Sequence, residues 1–118
     1  MAFRTENDLI TKILEKLQIV PEGQAPEADD TARVEANLPS LLNELAAREI
    51  VYVPDINSIP DEWFLSLAKI CAYELRDEFG LTGDAARECE KANIEGILNL
   101  KVMTRGKPTY ETLRTLSF

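Results

Sequence analysis

The chain contains no histidine in its 118 residues. That absence removes imidazole general-base catalysis, Ser-His triads and most zinc sites. Cysteine is scarce as well. Cys71 and Cys89 fall inside helical patterns with no CxxC spacing, which points to buried, reduced thiols in an intracellular chain. No apolar run nears the ~20 residues needed to cross a bilayer, so no membrane partner is expected. The opening "MAFRTENDLITK" has neither the apolar core nor the small-residue cleavage site of a secretory signal, and synthesis in a cytoplasm is the expectation. A glycine-rich phosphate cradle is missing too: "GLTG" at 80–83 is too short and lacks the P-loop lysine. Internal repeats and low-complexity segments are absent.

Apolar residues make up 45% of the chain and charged residues 29%, the composition of a soluble globular domain. A chain this long can build a core without metal or disulfide support. Its net charge of -8 is unevenly spread. Residues 101–118 carry Lys101, Arg105, Lys107 and Arg114 against Glu111, a net +3, so the first hundred residues carry -11. An acidic body disfavours direct binding to a phosphate backbone, which needs Lys and Arg neutralisation. The basic tail suits a protein partner better.

Hydrophobic spacing predicts four helices. The first runs from about Thr5 to Gln18, with Leu9, Ile10, Ile13, Leu14 and Leu17 on one stripe. Thr5 is its expected cap, and Asp8 completes an acidic variant of the capping box. "IVPEGQAPEADD" reads as a loop. The second helix runs from Asp29 or Asp30 to Arg48, on Val34, Leu38, Leu41, Leu42 and Leu45. Pro39 falls inside it and predicts a kink or a restart. "EIVYVPDINSIP" reads as a loop, with a less favoured extended piece at Ile50 to Val53 that has no partner strand to form a sheet. The third helix begins at Pro60, has Asp61 and Glu62 in its first turn, and stops at Gly80 in a left-handed cap. Its apolar residues cover more than one face, so it is expected to be central. The fourth runs from Thr82 or Asp84 to about Met103. Ala85, Ala86, Cys89, Ala92, Asn93, Gly96, Ile97, Leu100 and Met103 form a small-residue stripe on it, which suits close helix approach. The fold class is therefore all-α: a four-helix bundle-like body over residues 1–104 and an extended C-terminal arm over 105–118.

Carboxylate clusters are weak candidates for chemistry. Glu27, Asp29 and Asp30 lack the spacing of a calcium loop and read as an acidic helix start. "DEW" at 61–63 and "RDE" at 76–78 read as a helix end and a solvated face. Trp63, Phe64 and Tyr73 fit a core at helical spacing better than a base-stacking platform. No catalytic, metal or cofactor-binding residue is assigned, and the chain is read as a non-enzyme.

The tail "RGKPTYETLRTLSF" differs from everything before it. Threonines and aromatics favour pleated surfaces, and an extended arm of this kind can add to a partner's sheet edge or groove. The alternatives are that it folds back on its own helices or stays disordered.

Four features in order carry a family resemblance: "TENDLITKILEKLQIV", the Pro/Gly/acid loop into a Leu-rich helix, "SIPDEWFLSLAKICAYELRDEFGL", and the ending "RGKPTYETLRTLSF". Together they resemble the head-to-tail connector, or adaptor, proteins of tailed bacteriophages, especially the tail accessory factor type of short-tailed phages. The resemblance implies an all-α virion protein, made in the bacterial host cytoplasm. Its copies form a homo-oligomeric ring, commonly a dodecamer, between the portal protein and a downstream tail or nozzle protein. Packaged DNA would pass through the channel without sequence-specific binding, past a wall that excess acid makes repulsive. The arm would reach the portal, with Tyr110, Leu113, Leu116 and Phe118 as anchors and Arg105, Lys107 and Arg114 for charge pairing. Ring contacts are head-to-tail and need two different faces; the third helix and the small-residue stripe of the fourth are the candidates. A stand-alone helical interaction module with a partner-binding arm is the alternative reading, and a cation-dependent hydrolase using the acidic clusters is the weaker rival.

Overall fold

A computed structural model describes residues 3–21 and 23–105. Four helices account for most of them: α1 (Glu6–Lys16), α2 (Ala28–Ala47), α3 (Asp61–Leu75) and α4 (Gly83–Arg105). Two short strands, β1 (Phe3–Arg4) and β2 (Ile59–Pro60), pair antiparallel with Phe3 opposite Pro60 and Arg4 opposite Ile59. The fold is all-α in class. The segment read as a loop is one as far as β2, and the less favoured extended piece at Ile50 to Val53 does not form. Ile50 and Val51 are buried while Tyr52 stands exposed, and the strand that does form begins at Ile59, six residues after Val53.

Helix α1 starts where its cap predicts. The Thr5 hydroxyl accepts from the Asp8 amide at 3.3 Å, and the Asp8 carboxylate accepts from the Thr5 amide at 3.2 Å. Two orphan donors of the first turn are thereby satisfied reciprocally. The buried stripe of Leu9, Ile10, Ile13, Leu14 and Leu17 forms as its spacing indicates.

Helix α2 continues as one element through Pro39, so the helix does not restart there. Pro39 sits on the exposed side of the helix, and so does Glu35 one turn earlier. On an exposed side a carbonyl without its amide partner can be hydrated, which lowers the penalty for a missing bond.

The ends of α1 and α2 close in the same way as the turn over 76–80, which follows α3; α3 itself ends at Leu75, short of the expected stop at Gly80. Gln18, Glu49 and Gly80 take φ of +63°, +58° and +67°. In each turn the following amide reaches back five residues: Ile19 to Leu14, Ile50 to Leu45 and Leu81 to Arg76, at 3.0, 3.0 and 2.8 Å. The left-handed residue itself bonds three residues back, completing a Schellman motif at each site. Glycine was the expected residue only at 80; at 18 and 49 an ordinary side chain accepts the left-handed strain. Burial of Ile50 and partial burial of Ile19 against the core hold those two turns in place.

Helix α3 is central, as its broad apolar coverage predicts, and contacts α1, α2 and α4. Pro60 is its cap rather than its first helical residue, because ψ of 135° keeps it extended beside Phe3. Phe64, Leu67, Ala68, Ile70, Cys71, Ala72 and Leu75 are buried. Trp63 and Tyr73 are partly buried against the same core, so the three aromatics serve packing. Arg33 of α2 donates to the Glu78 carbonyl at 2.6 Å and lies over the Phe79 ring, tying α2 to the α3–α4 turn.

Candidate interaction surfaces

The seven residues assigned to portal binding fall at or beyond the end of the described chain. Lys107, Tyr110, Leu113, Arg114, Leu116 and Phe118 lie outside the described residues. Arg105, expected to open the arm, is the last helical residue of α4. The surfaces that can be described belong to the helical body, and α4 carries the most distinctive one.

The small-residue stripe of α4 faces inward. Cys89, Gly96 and Leu100 are buried, and Ala85, Ala86, Ala92, Asn93 and Ile97 are half-buried. A Cβ added at Gly96 would sit 2.8 Å from the Ser66 carbonyl oxygen and 3.1 Å from Ile70 Cγ1. The backbones of α3 and α4 therefore meet where no side chain intervenes. This uses up within one chain a face that had been a candidate for contact between copies. Asn93 Oδ1, on the same face, is buried with no hydrogen-bond partner among the described residues.

On the opposite side of α4, Ile94, Leu98 and Val102 are 56%, 60% and 45% exposed. Steps of four residues put them in one row along the helix. Leu65 of α3 and Met103 add apolar area at one edge, beside a groove of about 360 Å³ lined also by Glu62, Ser66, Lys69 and Asn99. Lys69 pairs with Glu95 at 3.6 Å across the two helices. An exposed row of large aliphatic side chains on one helix is the mark of a surface that another protein covers. Sequence reasoning passed over Ile94, Leu98 and Val102, although their spacing was readable opposite the small-residue stripe.

Compared with protein-family models, with curated proteins and with solved structures, the chain finds no match. The reading of function therefore rests on the chemistry of the chain itself.

That chemistry is inert at the two thiols. Both are unpaired and buried. Burial, and after it the Glu74 carboxylate, push the Cys71 thiol up to about 12. Burial also raises Cys89, with Arg76 opposing and Glu88 adding to the shift. The Cys89 thiol points at the Lys16 carbonyl at 3.9 Å, a weak contact between α4 and the end of α1. Thiols held protonated in this way make poor nucleophiles. Glu27, Asp29 and Asp30 stand at the start of α2, where the helix dipole favours them. Among the described residues, no three acidic or cysteine side chains converge as a ligand set for a metal ion.

Proposed function

We propose that this chain is a structural head-to-tail adaptor of a tailed phage. In this reading copies of the helical body form a ring beneath the portal protein, dodecameric as in the family it resembles. The C-terminal residues dock on the portal, and the ring joins the capsid to the tail while retaining packaged DNA. The observation that carries the reading is the outward apolar row of α4, on the helix that leads directly into the basic C-terminal segment. One helix thus combines a surface suited to a protein neighbour with the segment assigned to the portal. The charge of the body fits the same role, since an acidic lumen repels DNA and lets it slide.

The test uses the full-length chain and portal rings from the same phage. Replacing Tyr110, Leu113, Leu116 and Phe118 together by alanine is expected to abolish joining of the chain to portal rings, read by co-sedimentation. Undiminished binding by that variant rules out the docking arm. A wild-type chain that ignores portal rings altogether favours a stand-alone interaction module.

A further inference from the structure

The outward row of α4 has a size-matched counterpart elsewhere on the same chain. Ala28, Ala32, Ala36 and Ser40 of α2 are all exposed and also recur every four residues, with Pro39, Asn43 and Ala47 beside them. One helix therefore presents a ridge of large aliphatic side chains, and the other presents a row where side chains are short. Ridges of four-residue steps pack into grooves of the same step in the commonest class of helix contact. Within one copy the two faces are separate, because α2 and α4 each lie on α3 and have at most marginal contact with each other.

Charge points to the same pairing. Along the α4 face Lys91 and Lys101 make no ion pair among the described residues, and along α2 neither Asp29 nor Glu35 does. The charges of opposite sign on each face are largely engaged at home: Glu95 of α4 with Lys69, and Arg33 of α2 with the Glu78 main chain. Glu90 of α4 is the exception and has no such partner. A basic-edged aliphatic ridge thus meets an acidic-edged shallow row. Complementary edges of this kind favour encounter and set register more than they add affinity.

We infer that the ridge Ile94–Leu98–Val102 of one copy seats on the Ala32–Ala36–Ser40 row of α2 in the next copy. The contact is head-to-tail, so a growing assembly keeps one unused ridge and one unused row at its ends, and addition continues until a ring closes. This gives faces to the self-assembly part of the adaptor reading and needs nothing from its portal part. A chain that assembles through these faces yet ignores portal rings leaves the inference standing and removes only the docking role.

Two full-length variants test it, each placed at an exposed position so that the fold is kept. Leu98→Glu spoils the ridge and Ala36→Arg fills and recharges the row; circular dichroism and the urea midpoint confirm folding, with Val102→Ser in reserve for the ridge. By sedimentation at up to millimolar concentration, the wild type is expected to form species larger than dimers, less readily in high salt. Each variant alone is expected to be monomeric. Mixed in equal amounts they are expected to give a 1:1 dimer and nothing larger, because the pair retains one ridge and one row that match. A monomeric wild type overturns the inference. So does continued assembly of either variant alone, and so does a mixture that stays monomeric.

Discussion

Gly96 offers the sharpest test of how α3 and α4 meet. In Gly96→Ala the new methyl group lies 2.8 Å from the Ser66 carbonyl oxygen, 3.1 Å from Ile70 Cγ1 and 3.5 Å from Lys69 Cβ. Carbon and oxygen in ordinary contact sit roughly 3.3–3.6 Å apart, so relief requires a shift of about 0.5 Å or more. The Ser66 oxygen belongs to the backbone of a helix and cannot rotate aside as a side chain would. The helices must part, and a gap of about 0.5 Å along the seam gives up roughly a quarter of the dispersion energy there. Overpacking of this kind costs about 1–3 kcal/mol. Against it stands the gain of about 1 kcal/mol from replacing glycine inside a helix. The net expectation is a loss of about 1 kcal/mol, which lowers the melting temperature by about 4 °C in a domain of this size. Urea unfolding followed by circular dichroism measures it, as a lower midpoint at unchanged slope. A variant as stable as the wild type, or more stable, refutes the close approach, since alanine at an uncrowded helical glycine stabilises.

At Gln18 the direction reverses. Gln18→Gly relieves a left-handed conformation worth roughly 1–2 kcal/mol while adding about 0.5–1 kcal/mol of backbone entropy loss. The expected gain of up to about 1 kcal/mol should raise the urea midpoint, and a lower midpoint contradicts the strain. Cys71 predicts an alkaline sensitivity. Its thiol rises from 9.0 to about 12 on folding, so above pH 9 the unfolded chain has released a proton that the folded chain still holds. This contribution is fully present below pH 9 and is lost as pH climbs through about 12. Stability measured between pH 8 and pH 11 should therefore fall less steeply in Cys71→Ala than in the wild type; parallel slopes contradict the assignment.

The parts of the fold that were legible in the sequence are those with local chemical signatures. Thr5 and Asp8 announced the start of α1, Gly80 announced a left-handed turn though α3 ends five residues before it, and the buried rows of α1 and α4 followed from spacing. The ends at Gln18 and Glu49 were placed within a residue or two, though nothing in either side chain signals a left-handed turn. Burial of distant residues decides them. Pro39 pointed to a kink or a restart; the restart does not occur, and the exposed side on which Pro39 sits is a tertiary fact. The β1–β2 pair was invisible, since two-residue strands carry no periodicity and their partners lie 57 residues apart (Phe3 to Pro60). On α4 the inward stripe drew attention and hid the outward one: a helix apolar on two sides reads from sequence as a single broad face. The arm residues lie outside the described chain, so their reading still rests on sequence.

The pairing of Phe3 with Pro60 has a consequence in chain statistics. It closes a loop of 57 residues, and tying the ends of a free chain that long carries an entropy cost of about 3–4 kcal/mol from the length term alone. Two residue pairs and the exposed Arg4–Asp61 bridge at 2.8 Å do not offset that by themselves, because solvent screens such a bridge. The clip persists because α1 and α2, packed against α3, have already brought its two ends together. It is a dependent of the core, into which its own Ile59 is fully buried.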